Sequence, residues 1–382
     1  MASKKTLNVS NLESLGAERL AALLMEISAG SAAIKRRLRL ELAGRESPAE
    51  LSKEVRKRLV TIARSRSFVD WQNRKALIDD LETQRRAIVQ QVAPQAPGEA
   101  LDLIWQFLGL AESVFERTDD SNGTIGSIFQ NAVMNLGEIA QAARPDSTRL
   151  ADQVFNALLQ NNYGQYDYLI QVLQPALGPA GLEYLKQRVI ALSAEPVRKP
   201  PAKEREVIGW GPGGPIYADD VAENFRASTI KLALQNIADA QGDVDAYIAQ
   251  YEPKVRQVPK IAAKIAKRLL AAGRAEEAWQ AIESTERRSG GWLDFEWDDT
   301  RIEVLEVLGR ADEAQAARWS CFEKALSARH LRDYLKRLPD FDDFEAEQRA
   351  LDYAERHDSL LQAISFLIGW PALDRAARLV TQ

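Results

Sequence analysis

The sequence predicts an all-α protein in which pairs of helices stack in series as an α-solenoid. Apolar residues recur at helical spacing through most of the 382 residues, and no stretch shows the alternation of a half-buried strand. Short polar or Gly/Pro-containing turns separate the helical stretches, and one glycine-centred motif returns along the chain. Because an amphipathic helix cannot shield its own apolar side, each predicted pair needs a neighbour along the chain.

Residues 1–193 are predicted to form an N-terminal, HEAT-like helical block. The segments that begin at Ser10 and Ser47 have the pattern of capping boxes, and Pro48 would occupy the first helical position of the second. Each is therefore expected to begin a helix. Further helices are predicted at roughly 72–92, 98–116, 124–143, 147–160 and 175–193.

Residues 194–216 are predicted to be a Pro/Gly-rich linker or loop. Their GWGPGG motif lacks the Lys-Ser/Thr ending of a phosphate-binding loop, and no strand is predicted before it. The stretch therefore separates the N-terminal block from a C-terminal block at 217–382 and predicts no nucleotide site.

The C-terminal block is predicted to be tetratricopeptide-like, because it contains an internal repeat. LAAGRAEEA at 270–278 returns as VLGRADEA at 307–314, which places Gly273 and Gly309 36 residues apart. That interval is close to the period of about 34 residues in tetratricopeptide arrays. Each glycine is expected at a tight corner with positive φ. Two further helix pairs are predicted at about 328–356 and 358–380.

Gly369-Trp370-Pro371 predicts one more corner between helices, close to the end of the sequence. The last helix then has no successor to cover it, whereas solenoids normally end in a capping element. We expect either a truncated array or self-association through the C-terminal helix.

Four polar segments together resemble a bacterial helical family known only as a domain of unknown function. They are FERTDDSNGTIG at 115–126, QNNYGQYD at 160–167, DFEWDD at 294–299 and LPDFDD at 338–343. The resemblance covers nearly the whole chain and implies a helical fold, with no established activity and no catalytic residue. The C-terminal half is also similar to the tetratricopeptide-like region of SWIM-type zinc-finger proteins. The zinc-finger ligands are absent here, so the resemblance implies no metal.

The two polar corners at 117–123 and 160–167 are candidates for a partner-binding surface. Their offset suits a two-helix repeat of HEAT length, so both corners are expected on one edge of the stack. The alternative is mutual capping that locks adjacent repeats. The candidate residues are Arg117, Asp119, Asp120, Asn161, Tyr163, Tyr166 and Asp167.

A second candidate surface combines tryptophan with acidic residues near the internal repeat. Tryptophan often anchors protein interfaces, and the carboxylates would suit a basic partner. Core filling by the same tryptophans is the alternative. The candidate residues are Trp292, Trp297, Asp298 and Asp299.

The net charge of −5 is unevenly distributed, since residues 1–90 contain 18 Lys/Arg and 11 Asp/Glu. The basic helices at 35–66 are therefore an alternative nucleic-acid-binding region. They contain almost no aromatic residues for base stacking, and the pI of about 5.5 opposes general affinity for nucleic acids. A solvated helix face is the preferred interpretation.

Metal binding and catalysis are not predicted. The turn at 118–129 resembles a calcium loop, but Thr118 and Phe129 occupy its first and last ligand positions. His330 and His357 are the only histidines, and their spacing matches no metal motif. Cys321 is the single cysteine, which excludes an intramolecular disulfide. We expect a structural thiol, no cofactor and no enzymatic activity.

The resulting functional prediction is a non-catalytic scaffold that binds a peptide, helix or subunit of unknown identity. Nucleic-acid binding through the basic helices is the alternative, and an enzyme with an unrecognised site is the third interpretation. No apolar run reaches the roughly 18 residues of a membrane span, and Met1–Asn11 does not resemble a signal peptide. The sequence therefore predicts a cytoplasmic protein without membrane partners.

Overall fold

The computed structural model describes residues 6–197, 199–201, 203–285 and 295–381, and these residues are all-α apart from one β-hairpin. The predicted fold class is thus confirmed. The contacts between residues divide the chain into two units, Met1–Gln241 and Gly242–Gln382. Each unit contains its own apolar clusters.

The first unit contains eleven labelled helices and two strands among its described residues. In order they are α1 (Val9–Glu13), α2 (Ala17–Ala29), α3 (Ala32–Glu46), α4 (Pro48–Arg64), α5 (Trp71–Arg86, continued by a π-helical turn at Ala87–Val92), α6 (Pro97–Leu108), α7 (Ala111–Phe115), α8 (Thr124–Ala143), α9 (Ser147–Leu159), α10 (Leu169–Ala194), β1 (Val207–Gly211), β2 (Gly214–Tyr217) and α11 (Ala218–Gln241).

At one of the two predicted capping boxes the N-cap is confirmed, but the reciprocal bond of a box is not formed, because the Ser47 N–H donates to the Ala43 carbonyl at 3.1 Å. Ser47 Oγ accepts a hydrogen bond from the Glu50 backbone N–H at 3.1 Å, and Pro48 is the first residue of α4. At the other site, Asn8 replaces Ser10 as the N-cap, because its Oδ1 accepts from the Asn11 N–H at 2.8 Å. The helix therefore begins two residues before the position that the Ser10 pattern predicted.

The core of the first unit is formed by serial packing of its helices. α6 packs on α8, α8 on α10, and α10 on both α9 and α11. The α8–α10 approach is close, since a Cβ at Gly137 would lie 2.5 Å from Val172 Cγ1. α10 begins at Leu169 and bends at Gly178, where φ is +59° between Pro175 and Pro179. Its predicted start at 175 was therefore too late by six residues.

The predicted linker contains an antiparallel β-hairpin, so the expectation of no strand is wrong at 207–217. Glycine-rich Val207–Gly211 offers little apolar alternation, which hid the strand from the sequence pattern. The Arg205 guanidinium stacks on the Tyr217 ring at 3.8 Å and pairs with Asp219 at 2.9 Å. These contacts fix the hairpin to the start of α11.

The second unit consists of short helices that pack on their neighbours in sequence. Its described helices are α12 (Val244–Ala249), α13 (Pro253–Arg256), α14 (Pro259–Ala271), α15 (Ala275–Glu283), α16 (Phe295–Val307), α17 (Ala311–Ala325), α18 (Ala328–Leu335), α19 (Asp342–Glu355), α20 (Leu360–Gly369) and α21 (Leu373–Thr381).

The two copies of the internal motif form equivalent corners in the second unit. Gly273 has φ +74° and Gly309 has φ +72°, as the sequence predicted. After each glycine an arginine N–H donates to the carbonyl five residues earlier, at 2.8 Å for Arg274 and 2.9 Å for Arg310. This bond satisfies a carbonyl at the end of the preceding helix.

No helix among the described residues has an apolar stretch long enough to cross a bilayer.

Candidate interaction surfaces

The corner at 117–126 is held by its own polar side chains. Asp120 Oδ1 accepts from the Ile125 N–H at 2.8 Å, and Oδ2 accepts from the Gly126 N–H at 2.7 Å, which caps α8. Asp119 Oδ1 accepts from the Ser121 N–H at 3.0 Å. Both carboxylates therefore stabilise the turn.

The corner at 160–167 is also closed by internal hydrogen bonds. Asn161 Oδ1 accepts from the Tyr166 N–H at 2.8 Å, and its Nδ2 donates to Asp167 Oδ1 at 2.8 Å. Gln165 is buried, and its amide bridges the Tyr163 N–H and the Gln160 carbonyl. Asn161, a candidate for partner binding, and Gln165 thus hold the backbone of this loop.

Two of the site residues predicted at these corners are buried. Arg117 is 8% exposed, and burial followed by the charge of Arg58 lowers the pKa of its guanidinium. Its Nη2 donates to the Ile62 carbonyl at 3.5 Å. Tyr166 is 6% exposed, and burial raises its pKa to about 12. Both side chains therefore belong to the interior beneath the two corners.

The structure links the two corners through aromatic side chains. The Phe115 and Tyr163 rings stack with centroids 5.0 Å apart. A third loop, 65–70, contacts the first of these corners, because the Val69 N–H donates to the Arg117 carbonyl at 2.8 Å. Arg74 on α5 donates to the Asp119 carbonyl at 3.1 Å. We call loops 65–70, 116–123 and 160–168, with Trp71 at the start of α5, the loop edge.

Four aromatic side chains of the loop edge are exposed to solvent among its polar residues. Phe68 is 69% exposed, Trp71 78%, Tyr163 46% and Tyr168 65%. Sequence analysis identified Tyr163 but missed the other three. The sequence feature that could have identified them is an aromatic residue in a short polar loop or at a helix start. Such a residue lies outside the apolar stripe of any helix. The loop edge therefore combines locked polar turns with uncovered aromatic rings.

The second predicted surface is only partly exposed. Trp297 is buried at 9% exposure, whereas Asp298 and Asp299 are half-buried. Burial raises the pKa of the Asp298 carboxyl. Trp292 lies outside the described residues, so its position within the fold is not described. Trp297 packs inside the second unit, which agrees with the core-filling alternative.

Asp299 belongs to a polar network between α16 and α18. His330 is 2% exposed; its Nε2 lies 2.8 Å from Asp299 Oδ1 and its Nδ1 lies 2.7 Å from Ser327 Oγ. Arg329 Nη2 also donates to both Asp299 oxygens at 2.5 Å. Ser327 is the N-cap of α18 and accepts from the His330 N–H at 3.5 Å. The contacts from Ser327 through His330 to Asp299 therefore connect α18 to α16.

Cys321 is buried in the same part of the second unit, with only 2% of its surface exposed. Burial, reinforced by Asp298, raises the pKa of its thiol to about 12. Because the thiolate is the reactive form, this cysteine is inert near neutral pH. The expected structural role of Cys321 agrees with this environment.

The C-terminal helices leave several apolar side chains uncovered. Leu361 is 80% exposed on α20, and α21 exposes Leu373 and Val380 at 61% and 67%. Exposed apolar side chains on neighbouring helices are typical of association surfaces. Self-association through the C-terminal helix stays a prediction.

The fold and these surfaces define a mainly helical protein whose loop edge carries exposed aromatic residues. The chain belongs to a family of unknown function, DUF6880, whose model matches residues 2–382. No curated protein matches the chain.

Proposed function

We propose that the chain is a non-catalytic α-solenoid that binds a protein partner on the loop edge. The single observation that carries this proposal is the exposure of Phe68, Trp71 and Tyr168 beside the half-exposed Tyr163, on loops linked by direct contacts. Tyrosine and tryptophan are enriched in protein interfaces because they bury a large area with few rotatable bonds.

The rigidity of the loop edge also favours binding. Asp120 and Asn161 hold their turns through two hydrogen bonds each, so the aromatic side chains project from ordered loops. A surface that is ordered before binding loses less conformational entropy when a partner docks. The polar corner residues then act by supporting the surface, while the aromatic residues make the contacts.

Serial packing within each unit supports the solenoid part of the proposal. Most extended helix contacts join helices that are one or two positions apart in sequence, and the Gly273 and Gly309 corners repeat the same geometry. This arrangement favours the tetratricopeptide-like interpretation of the second unit and the HEAT-like interpretation of the first. The kinship with SWIM-type proteins and a bacterial origin rest on the sequence resemblance. Cytoplasmic location stays a prediction.

The proposal is tested with the whole chain as bait in an extract of its native host. We expect protein partners that persist after nuclease treatment and are lost from a Phe68→Ala/Trp71→Ala bait. Both side chains are mostly exposed, so the substitutions should leave the melting temperature within about 2 °C of wild type, as surface changes generally do.

Trp210→Ala is the matched control, because Trp210 is 79% exposed on β1, away from these loops in sequence. This bait should retain the partners. Partners that remain on the Phe68→Ala/Trp71→Ala bait would refute the role of the loop edge. Loss of all partners on nuclease treatment would instead favour nucleic-acid binding.

A further inference from the structure

A cleft in the first unit lies between α3, α4 and α5, and its wall is mainly cationic. Its lining residues are Arg36, Arg39, Leu40, Glu54, Lys57, Arg58, Thr61 and Gln84. Four of these eight side chains carry a positive charge, whereas Glu54 is the one carboxylate among them. Like charges gathered at one site repel each other, so this arrangement costs stability unless an anion offsets it.

One buried carboxylate already neutralises part of this charge. Asp80 accepts from Arg58 Nε at 2.8 Å and lies 3.8 Å from Arg36 Nη2. It also accepts from Gln84 Nε2 at 3.2 Å. With Glu54 and Asp80 both ionised, the four cations retain an excess of two positive charges.

Two of the cations are available to a ligand. The side chains of Arg39 and Lys57 are exposed and have no hydrogen bond or ion pair with any other residue that the structure describes. Arg39 lies three residues after Arg36 on α3, and Lys57 lies four residues before Thr61 on α4, so each pair shares one helix face. The two helices therefore present their cations to a common space.

A second observation points to a ligand in the same cleft. Gln84 is only 1% exposed, and its Oε1 has no hydrogen-bond partner among the described residues. Its amide orientation follows from Asp80, which can only accept and is contacted by Nε2. Arg36 Nε is also buried without a partner there. Buried polar atoms are nearly always hydrogen-bonded, so unpaired ones indicate an additional occupant.

We propose that this cleft binds a phosphate monoester group, with Arg36, Arg39, Lys57 and Arg58 as its cationic ligands. A monoester carries about −1.5 to −2 charges at pH 7 and offers three acceptor oxygens, which matches the excess of two positive charges. Arginine suits this group because its guanidinium donates two parallel hydrogen bonds to phosphate oxygens. The unpaired Gln84 Oε1 would accept from the protonated oxygen of the monoanion, a form that a monoester retains in part at pH 7 because its second pKa is about 6.

The test uses the full chain and inorganic phosphate as the probe, titrated by calorimetry at constant ionic strength against chloride. We expect Arg39→Gln/Lys57→Gln to weaken phosphate binding by at least about tenfold, since it removes both unpaired cations. Neither side chain holds the fold together, so the variant should remain folded. Arg37→Gln/Arg64→Gln removes the same charge from exposed positions of α3 and α4 outside the cleft and should change affinity within about twofold.

Three further probes sharpen the assignment. Dimethyl phosphate, a singly charged diester, should bind at least about tenfold more weakly than phosphate, because it lacks the second charge. Free O-phosphoserine and a phosphoserine peptide distinguish two sources of the same group. Tighter binding of the peptide assigns the group to a modified protein, and equal affinity assigns it to a small phosphorylated molecule; both support the site.

Several results would overturn the proposal. If phosphate binds no better than chloride, or if the two double variants lose affinity equally, general surface charge explains the effect. Equal affinity for dimethyl phosphate, or for an RNA oligonucleotide lacking terminal phosphates, would show that the cleft takes diesters.

The loop-edge variant Phe68→Ala/Trp71→Ala should bind phosphate normally, which keeps this test separate from the proposed function.

Discussion

The neighbouring carboxylates of Asp298 and Asp299 are expected to affect the stability of the second unit in opposite directions. Asp299 accepts hydrogen bonds from Arg329 and contacts His330, so these side chains stabilise its negative charge. Asp298 is half-buried, and burial raises its pKa. A raised pKa means that the folded protein binds this proton more tightly than the unfolded chain does. Stability from Asp298 is therefore lost as pH rises from the ordinary range of an aspartate to the raised value.

These environments predict opposite effects of the same substitution. At pH 7, Asp298→Asn should raise the free energy of unfolding, because it removes a charge that burial disfavours. This gain should shrink as pH falls into the range in which Asp298 is itself protonated. Asp299→Asn should lower the free energy of unfolding by about 1–2 kcal/mol through weaker charge-assisted hydrogen bonds. Urea unfolding between pH 4 and 7 checks both, and a loss of stability in Asp298→Asn at pH 7 would contradict this account.

At the scale of single elements, the glycine corners allow backbone strain to be measured by itself. A Cβ at Gly273 or Gly309 would meet no atom within 4 Å, yet both residues have positive φ. Gly273→Ala and Gly309→Ala should each cost about 1 kcal/mol, since an L-residue is strained in that region. Gly98 in α6 also has open space and no positive φ, so Gly98→Ala should be neutral or stabilising. Thermal unfolding that shows no difference between these positions would exclude backbone strain as the cause.

The elements also show what the sequence could predict. α8 was predicted at 124–143 and is observed at Thr124–Ala143, because its apolar residues keep a strong helical period between clear turn signals. The β-hairpin was missed because its glycines interrupt the alternation and its position depends on Arg205, Tyr217 and α11. The exposed aromatic rings of the loop edge were missed for a related reason, since exposure in a loop depends on tertiary contacts that no local period reports.

At the scale of the whole molecule, the extent of the first unit depends on α11. The sequence divided the chain at 194–216, whereas the contacts place the division after Gln241. Ala233 and Ile237 of α11 join the core of the first unit. Gln174 Nε2 donates to the Ala240 carbonyl at 2.7 Å, and Arg226 Nη2 donates to the Glu195 carbonyl at 3.0 Å. α11 therefore covers one side of α10.

This packing predicts different behaviour for two fragments. A fragment of residues 1–241 should unfold cooperatively, because it retains the buried face between α10 and α11. A fragment of residues 1–216 exposes that face and should lose several kcal/mol, given about 2–3 kcal/mol for burying one isoleucine side chain alone. We expect a lower urea midpoint and stronger binding of a hydrophobic dye by the shorter fragment. Equal midpoints would mean that α11 contributes nothing to the first unit and that the division predicted from composition at 194–216 is the physical one.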